Sequence, residues 1–429
     1  MKLKKLLIYI SSWRHININE KINCIIITKP GNYDDCMDYF KGHLWIEPLH
    51  KNIFNFKLIF IGMKVFIKLL ISKTFLMVKL WKFWPTIFFT CGLIKKNKIK
   101  NILSFTDYVS FPIYLKQLLG DQIKTVTMQN SSRAYPIKRI KYINKHDIYF
   151  SWSELNNKEK STLNKKTKIH KFGSLRMHLV LNEKKNWNIT NSFPGQNEKR
   201  QICLISNYAT RHHKFFNKYF LNLNPDNFIK KLQDLEKEYL FNSKDSFGKI
   251  KKNINDYEQI IEFFYLVLFI KKFIEKNKFE ISIIERHKPN HPGFKYEEDF
   301  YSNFFSRSNI LRSQNHAKRI EYILNNKNLV FITNMSSLGR EILGINQKVF
   351  TYSKWIYKFN ESFFQKDSIF FCIDESYEIF ENKLLENFNM GKENFENNKK
   401  SLKNTISAFK PNYNNLTLFL KETGLFLKN

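Results

Sequence analysis

Residues 331–353 read FITNMSSLGREILGINQKVFTYS, the pattern of a strand, a polar turn, a short helix and a second strand. The apolar run stops at Thr333, and Leu338, Ile342 and Leu343 then recur at helical spacing. A strand that passes through a tight turn into a helix is the repeating unit of a parallel α/β sheet. This stretch therefore predicts the fold class.

The polar turn between that strand and helix holds Asn334, Ser336 and Ser337. It presents backbone N–H groups and hydroxyls at the positive end of a helix dipole, which suits a phosphate. Glu341 follows one turn later, where a carboxylate can reach a ribose hydroxyl. Ser336 also fits an ordinary helix N-cap, and the turn taken alone favours that interpretation.

The same alternation of strands and helices extends along the chain. Helical patterns lie near Asn227–Phe241 and Tyr257–Lys276 and in the tail, which ends in Asn415–Leu427. The strand-like runs are Leu6–Ile10, Cys24–Thr28, Ile102–Phe105, Lys124–Met128, Ile148–Trp152, Ile169–Phe172, Gln201–Ile205, Glu280–Glu285, Leu329–Thr333, Lys348–Tyr352 and Ser368–Ile373. Alternating elements predict parallel sheets with right-handed crossovers, and hence doubly wound, Rossmann-like α/β domains.

A polar connector divides the pattern into two halves. At 429 residues the chain is long enough for two domains, each with its own core. Residues 182–199 contain Pro194-Gly195 and lack strand-like runs, as expected of a linker. We therefore predict a first domain at 1–181, a linker at 182–199, and a second domain with terminal helices at 200–429.

The composition excludes some classes of protein. Hydrophobic residues make up 43% and aromatic residues 16%, which excludes a chain disordered as a whole. The net charge of +33 favours anionic partners, although abundant Lys, Asn, Ile and Phe also fit a genome rich in A and T. No recognised RNA- or DNA-binding motif occurs, and the aromatics lie in apolar runs. We expect no specific nucleic-acid partner.

The five cysteines and the first ten residues bear on location. The cysteines are far apart in sequence, without a CxxC pair, which indicates buried reduced thiols in a cytoplasmic protein. The opening MKLKKLLIYI has an apolar run only as long as a strand, and no small-residue cleavage site follows it. It predicts a first strand and not a signal peptide.

Residues 53–94 form the most apolar segment. Lysines interrupt it too often for the roughly 18 uncharged residues that a membrane-spanning helix needs. Two interpretations stay open. The segment lies on an anionic membrane, with its Lys residues, Trp81 and Trp84 at head-group level, which makes the protein peripheral on the inner face of the cytoplasmic membrane. Alternatively, it is a pair of core helices with snorkelling lysines.

Polar side chains follow six of the predicted strands. Ligands of open α/β sheets bind beyond the carboxyl ends of the strands, so these residues are candidate ligands. Six such ends, three from each half, favour a cleft between two facing domains. The residues are Asp107, Gln129, Asn130, Arg133, Gly173, Ser174 and Arg176 in the first half, and Ser206, Asn207, Arg286, His287, Ser336 and Ser337 in the second.

The blocks ILSFTDY, TVTMQNSSR, KFGSLR, LISNY, ISIIERH and FITNMSSLGREILGINQKVF, in this order over residues 98–353, resemble the bacterial surface carbohydrate biosynthesis proteins. These are similar to the GT-B glycosyltransferases and, more distantly, to capsule and Kdo-transferring enzymes. The resemblance implies two Rossmann-like domains facing across a cleft, with a nucleotide-sugar donor on the second and an acceptor on the first. One departure is Ser131, which stands where the family usually has glycine after Gln-Asn.

The resemblance also implies roles for individual residues. The acceptor side takes Asp107, Gln129, Asn130 and Arg133. The donor side takes Arg286, Asn334, Ser336, Ser337 and Glu341, and the strand-end residues Gly173, Ser174, Asn207 and His287 are assigned to it as well.

The expected chemistry is glycosyl transfer, which needs a stabilised leaving phosphate and a deprotonated acceptor hydroxyl. A helix N-terminus together with Arg286 suits the first task. Asp107 is the candidate base, or else the N-cap of the run that begins near Val109; His287 and His178 are alternative bases. Because the chain has no Asp-x-Asp motif, we expect neither a metal nor a cofactor besides the donor.

The sequence therefore predicts a metal-independent glycosyltransferase that acts on a surface polysaccharide or a lipid-linked acceptor. A glycerophosphotransferase-like polymer synthase of the same double fold is the alternative enzyme. A non-catalytic protein that binds polysaccharide or nucleic acid is the alternative outside enzymes.

Overall fold

The computed structural model describes residues 14–15, 22–27, 34–46, 53–54, 56–105, 109–129, 145–152, 166–185, 187, 200–224, 227–243, 255–287, 291–305, 309–311, 316–334, 336–354, 368–373, 376–401 and 412–428. Within them the contacts divide the chain into two units. The first unit comprises Met1–Ser132, Ile137–Trp187 and Pro411–Asn429, and the second comprises Arg133–Pro136 and Asn188–Lys410. The predicted strand Leu6–Ile10 lies outside the described residues.

The strands are β1 Arg14–His15, β2 Cys24–Ile27, β3 Phe40–Lys41, β4 His43–Ile46, β5 Ile53–Phe54, β6 Asn101–Ser104, β7 Lys124–Met128, β8 Ile148–Ser151, β9 Lys168–Lys171, β10 Gln201–Ile205, β11 Glu280–Ile284, β12 Asn309–Leu311, β13 Val330–Thr333, β14 Val349–Ser353, β15 Phe371–Ile373 and β16 Phe426–Leu427.

The helices are α1 Asp34–Met37, α2 Phe56–Ser72, α3 Thr74–Lys79, α4 Trp84–Asn97, α5 Phe111–Leu119, α6 Leu175–Glu183, α7 Thr210–Tyr219, α8 Phe228–Ser243, α9 Asn255–Asn277, α10 Phe294–Phe304, α11 His316–Asn325, α12 Ser337–Gly344, α13 Tyr377–Asn389, α14 Lys392–Ser401 and α15 Tyr413–Thr423. Two short 3₁₀ turns lie at Trp81–Phe83 and Gly120–Gln122.

Each unit contains a six-stranded parallel sheet. The first has the order β4-β2-β6-β7-β8-β9 and the second β12-β11-β10-β13-β14-β15. In both, the strand order runs outward in one direction, returns to the centre and continues in the other. This is the doubly wound pattern of Rossmann-like domains, so the predicted fold class of two such α/β domains is confirmed.

The first sheet is covered on both faces because its strand β2 is apolar on both sides. Successive side chains of a strand point to opposite faces. Ile25 and Ile27 join a core with α2, α4 and α5, while Cys24 and Ile26 join a second core with α6 and α15. A continuous apolar run such as CIII is therefore what a buried parallel strand requires.

The last helix, α15, belongs to the first unit. Its Leu416 and Phe419 are fully buried in the same core as Leu175 and Leu179 of α6. The predicted second domain extends over residues 200–429, and the structure differs by placing α15 in the first unit. The face of the first sheet that carries Cys24 and Ile26 needs an apolar cover, and the chain returns from the second unit to supply it.

The segment 53–94 supplies the helix pair α2 and α4. Leu58, Phe66 and Leu69 of α2 are buried in the core that contains Ile25 and Ile27, as expected for core helices. The backbones meet at two glycines, since a Cβ on Gly92 would lie 1.8 Å from the Leu58 carbonyl oxygen. None of the described helices is both long and apolar enough to cross a membrane.

All five cysteines are buried, as predicted. Burial raises the pKa of the Cys24 and Cys91 thiols to about 12, so both are protonated near neutrality. They act as small apolar side chains of the core.

Candidate functional site

The strand order of the second sheet reverses between β10 and β13. The connections that leave these two neighbouring strands go to opposite sides of the order, toward β11 and toward β14. Such a point leaves a crevice beyond the carboxyl ends of the strands, where open α/β sheets bind ligands. The residues that follow β10, β11 and β13 therefore form the candidate site.

Two asparagines span the reversal point. Asn207, after β10, donates from Nδ2 to the backbone oxygen of Asn334, after β13, over 2.6 Å. The side-chain oxygen of Asn334 has no hydrogen-bond partner within the described part of the chain, although the residue is only 6% exposed. A buried amide oxygen without a partner is uncommon and unfavourable. The site therefore offers an unmatched acceptor to an N–H or O–H group.

Helix α12 begins at Ser337, three residues after Asn334. The Ser336 hydroxyl caps it by accepting from the Leu338 N–H at 3.2 Å, and the Ser336 N–H donates to the Thr333 hydroxyl at 3.2 Å. The predicted N-cap is thus present. The helix lies close to its strand, since a Cβ on Gly339 would lie 2.8 Å from Thr333 Cγ2. Its positive end consequently points to the carboxyl edge of the sheet.

Arg286 follows β11 and reaches across to the loop after β10. Its Nη1 donates to the backbone oxygens of Asn207, at 3.2 Å, and of Tyr208, at 3.4 Å. Arg319 of α11 in turn donates to the Arg286 backbone oxygen at 2.6 Å. Arg286 is an exposed residue at the same edge as the two asparagines, although partial burial of its guanidinium lowers its pKa.

A buried carboxylate holds these loops together. Glu297 of α10 is fully buried and accepts from the Arg286 N–H at 2.9 Å, the His287 N–H at 3.0 Å and the Ser206 hydroxyl. Tyr301, one turn further along α10, donates to the Ser206 oxygen at 2.8 Å. The loops after β10 and β11 are therefore fixed from beneath by one helix.

Glu297 is not among the predicted site residues, although the sequence carries a signal for it. Phe300, Tyr301 and Phe304 lie three, four and seven residues after it, which places the glutamate on the apolar stripe of α10. A charged residue on a buried helical face needs partners, and the loops after β10 and β11 supply them.

The same carboxylate orients His287. The ring Nδ1 lies 2.7 Å from Glu297 Oε2, and a neutral ring that donates from Nδ1 keeps a lone pair on Nε2. The ring of His291 stacks on it, with centroids 4.4 Å apart. His287 is thus held in a defined tautomer next to Arg286.

Glu341 and Ser337 complete the predicted donor residues of the second unit. Glu341 lies in the second turn of α12 and is only 2% exposed, so its carboxylate is enclosed by the protein. Ser337 opens α12, and its side chain lies outside the described residues.

In the first unit, Asp107, Asn130 and Arg133 lie outside the described residues. Gln129 is buried, and its side-chain oxygen accepts from the Trp152 backbone N–H at 2.9 Å. The backbone N–H of Gln129 donates to the Phe150 backbone oxygen. The side chain therefore joins the ends of β7 and β8.

Gly173 and Ser174 have local structural roles in the first unit. Gly173 has φ of 88°, in the left-handed region that favours glycine. The buried Ser174 caps α6 by accepting from the Met177 N–H at 3.4 Å. Both belong to the first unit and not to the second, whose sheet edge carries the other predicted donor residues.

His178, an alternative base in the sequence analysis, is a core residue. It is fully buried and stacks on Phe172, with ring centroids 4.2 Å apart. Its Nδ1 donates to the Ser174 oxygen at 2.8 Å, and its Nε2 accepts from the Asn412 N–H at 3.4 Å. Burial lowers its pKa to about 4, against the raising effect of the Ser174 hydrogen bond. The ring links α6 to the residue before α15 and has the surroundings of a core side chain.

Comparisons with known proteins give matches in structure only. No protein-family model and no curated protein matches the sequence. The UDP-GlcNAc 2-epimerase of Methanocaldococcus jannaschii, solved in complex with UDP-GlcNAc and UDP, is similar at 12% identity over 93% of this chain and 98% of that chain, with a TM-score of 0.42.

Two further solved structures are similar to a comparable degree. MurG of Acinetobacter baumannii matches at 8% identity over 94% of this chain and 99% of its own, with a TM-score of 0.43. The wall teichoic acid polymerase TagF matches at 10% identity over 92% and 86%, with a TM-score of 0.41. Because these scores lie below 0.5, the assignment of two Rossmann-like units depends on the strand orders themselves.

Proposed function

We propose that this chain is a glycosyltransferase that binds the phosphate of a nucleotide-sugar donor at the carboxyl edge of the second sheet. The proposal depends on one observation. At the reversal point, the Arg286 guanidinium, the unmatched Asn334 oxygen and the N-terminus of α12 converge. A guanidinium and a helix N-terminus both stabilise phosphate. The amide oxygen suits an N–H or O–H group of the same ligand.

In the proposed reaction, negative charge grows on the leaving phosphate as the glycosidic bond to it breaks. Arg286 is suited to stabilise this charge because its hydrogen bonds to the Asn207 and Tyr208 oxygens fix its position before the ligand arrives. Arginine has five N–H donors, so these contacts leave others for the phosphate. We assign this task to Arg286 and the dipole of α12, without a metal.

The acceptor hydroxyl must lose a proton in the same reaction. We retain Asp107 as the proposed base, with Gln129, Asn130 and Arg133 as acceptor-side residues. His287 is the competing base because Glu297 fixes its tautomer and leaves Nε2 with a lone pair. We expect Asp107→Asn to abolish transfer while nucleotide affinity is unchanged. Loss of transfer in His287→Asn alone would reassign the base.

The donor site is tested with a panel of UDP-, GDP- and CMP-sugars and CDP-glycerol, by thermal stabilisation and calorimetry. Arg286→Ala should weaken binding of the matching nucleotide roughly 10- to 100-fold, the usual effect of losing a charged hydrogen bond. Arg200→Ala is the matched control, because Arg200 is an exposed arginine immediately before the opposite end of β10. It should bind as the unaltered protein does.

Two results contradict the proposal. One is a panel in which no nucleotide binds, and the other is equal binding by the Arg286 and Arg200 variants. Selective binding of CDP-glycerol, followed by transfer of glycerol phosphate, would favour the polymer synthase. A surface polysaccharide or a lipid-linked glycan is the proposed acceptor, and transfer of labelled sugar to such acceptors tests it.

A further inference from the structure

The stretch between Glu47 and Asp107 has an unusual charge. It contains eleven lysines and neither Asp nor Glu, so it holds a third of the chain's net charge of +33. A lysine excess spread evenly by genome composition would include acidic residues at the usual interval. This part of the first unit is therefore cationic throughout, and its surface attracts anions.

The outer face of α2 is apolar and bare. Phe60, Met63, Ile67 and Ile71 follow one another at intervals of three, four and four residues, which places them on one side of the helix. Phe60 is 71% exposed and Ile71 is 78% exposed. The buried side of α2 lies opposite, at Leu58 and its neighbours.

The bare face continues into the next turns of the chain. Among the described residues, thirteen large hydrophobic side chains are exposed, and seven of them fall between positions 60 and 81. The other members of this outer stripe are Phe75, Val78 and Trp81. Scattered exposed hydrophobics are ordinary, whereas a contiguous patch marks an interaction surface.

A lysine-lined cavity borders the stripe. It has a volume of about 520 Å³, and apolar side chains such as Val65, Ile94 and Leu119 form part of its wall. Its five lysines are Lys64, Lys68, Lys95, Lys98 and Lys100. All five are exposed, and none forms an ion pair with a carboxylate of the described chain. The cavity therefore presents concentrated and uncompensated positive charge.

The cavity and the stripe share one helix. Lys64 and Lys68 each lie one position after a stripe residue, Met63 and Ile67, and hence at about 100° from it around α2. Cationic side chains thus flank an apolar ridge along its length. This is the arrangement of a helix that lies in a membrane interface, with lysines among the head groups and apolar side chains at the acyl boundary.

The ridge is presented rigidly. Gly62 and Gly92 let the backbones of α2 and α4 touch, since a Cβ on Gly62 would lie 2.1 Å from the Phe88 oxygen. The Phe66 and Phe88 rings stack with centroids 3.7 Å apart. Trp84 of α4 also donates to the Met77 oxygen at 2.8 Å, which ties α3 to the same pair.

We propose that the outer stripe docks on an anionic bilayer and that the lysine-lined cavity receives the phosphate of a lipid head group. Charge complementarity selects this occupant. A second copy of the chain would bring two lysine clusters together, and a nucleic acid would leave the apolar stripe in water. The proposal concerns the first unit alone and does not depend on the donor site.

Sedimentation with vesicles of phosphatidylcholine, with and without phosphatidylglycerol, tests the proposal on the full chain. The unaltered protein should bind only the anionic vesicles. Lys64→Glu/Lys68→Glu should weaken binding about 30-fold or more, as expected for two lysines at the surface of a charged membrane. Ile71→Ser/Phe75→Ser should weaken it about tenfold or more, since both side chains then no longer enter the acyl boundary.

The matched control is Lys230→Glu/Lys237→Glu on α8, which changes the net charge equally through two exposed lysines. It should bind vesicles as the unaltered protein does. An equal loss in this control would show unspecific attraction and overturn the proposal. So would binding to phosphatidylcholine alone, displacement from vesicles by millimolar inorganic phosphate, or a dimer in solution that the Ile71→Ser/Phe75→Ser variant abolishes.

Discussion

Each unit has a six-stranded, doubly wound parallel sheet, but the two units use the polar residues at their strand ends differently. In the second, Ser206, Arg286 and His287 at the strand ends converge on one buried carboxylate, and the buried side-chain oxygen of Asn334 at the same edge has no partner among the described residues. In the described part of the first, Gln129 and Ser174 at the strand ends are engaged in local structural bonds. A doubly wound sheet thus fixes the edge at which ligands can bind, whereas the side chains beneath the loops decide how well a site is prepared.

The charges follow the same division. In the second unit, the positive side chain of the candidate site is Arg286, which lies at the carboxyl edge of the sheet and bonds to the loop after β10. The first unit concentrates lysines in its helical layer, around Lys64 and Lys98. We interpret the two as different anion sites, one for a soluble donor and one for a surface.

The largest effect that would break this comparison concerns Glu297. Glu297→Ala removes an acceptor from Ser206, from two backbone N–H groups and from His287 Nδ1, all in a buried setting. Removing one partner from a buried charged network costs about 3–5 kcal/mol. We therefore expect the free energy of unfolding of the second unit to fall by about that amount in denaturant titration.

A neighbouring carboxylate supplies the control. Asp299 lies on the same helix, is exposed, and should change stability by less than about 0.5 kcal/mol when replaced by Ala. If Glu297→Ala were as mild as Asp299→Ala, the second unit's loops would not depend on the buried carboxylate, and the contrast with the first unit would disappear.

The next largest effect is a pH dependence of the first unit's stability, caused by the buried His178. The folded chain holds His178 neutral, with a pKa of about 4 against about 6.5 when unfolded. Between these pKa values the unfolded state binds more protons than the folded state. The contribution of His178 to the free energy of unfolding is therefore fully present above about pH 6.5 and is lost as the pH falls toward 4. The shift corresponds to about 3 kcal/mol.

His178→Gln removes one titrating ring and should reduce the pH dependence of the first unit's unfolding free energy across that window. Buried His146, whose pKa is also lowered to about 4, still titrates there. Protonation of Nε2 also removes the acceptor of the Asn412 N–H, so acid should loosen the attachment of α15. Hydrogen exchange of α15 at pH 7 and pH 5 checks this. An unchanged slope in the variant would show that the ring does not govern the acid response.

The strands were predicted from the sequence more reliably than their surroundings. The run at 201–205 matches β10 because a strand buried on both faces is a short, largely apolar stretch, here QICLI. The run at 124–128 matches β7, although KTVTM is apolar only at Val126 and Met128. β4 and β12 were missed, since HLWI and NIL are only four and three residues long. The place of α15 was also missed, because order along the chain does not state which sheet face lacks a cover.

The candidate site was predicted only in outline. Asn207, Arg286 and Asn334 were selected by their position after strands, and the structure brings them together at one reversal point. Glu297 comes from the middle of a helix, so a rule about strand ends could not select it. That the side-chain oxygen of Asn334 lacks a hydrogen-bond partner among the described residues depends on tertiary packing, which no local sequence pattern contains.

The smallest effects separate the two faces of α2. Gly92→Ala places a Cβ 1.8 Å from the Leu58 oxygen, a backbone atom, so α2 and α4 must separate at a cost of about 1–3 kcal/mol. Gly391→Ala is the control, because no atom lies within 4 Å of its added Cβ. Ile71→Ser on the outer face should change stability by less than about 0.5 kcal/mol. If thermal unfolding shows this order, folding explains the inner face alone, and the apolar character of the outer face requires a partner outside the fold. A loss at Ile71 as large as that at Gly92 would instead assign the outer face to the fold.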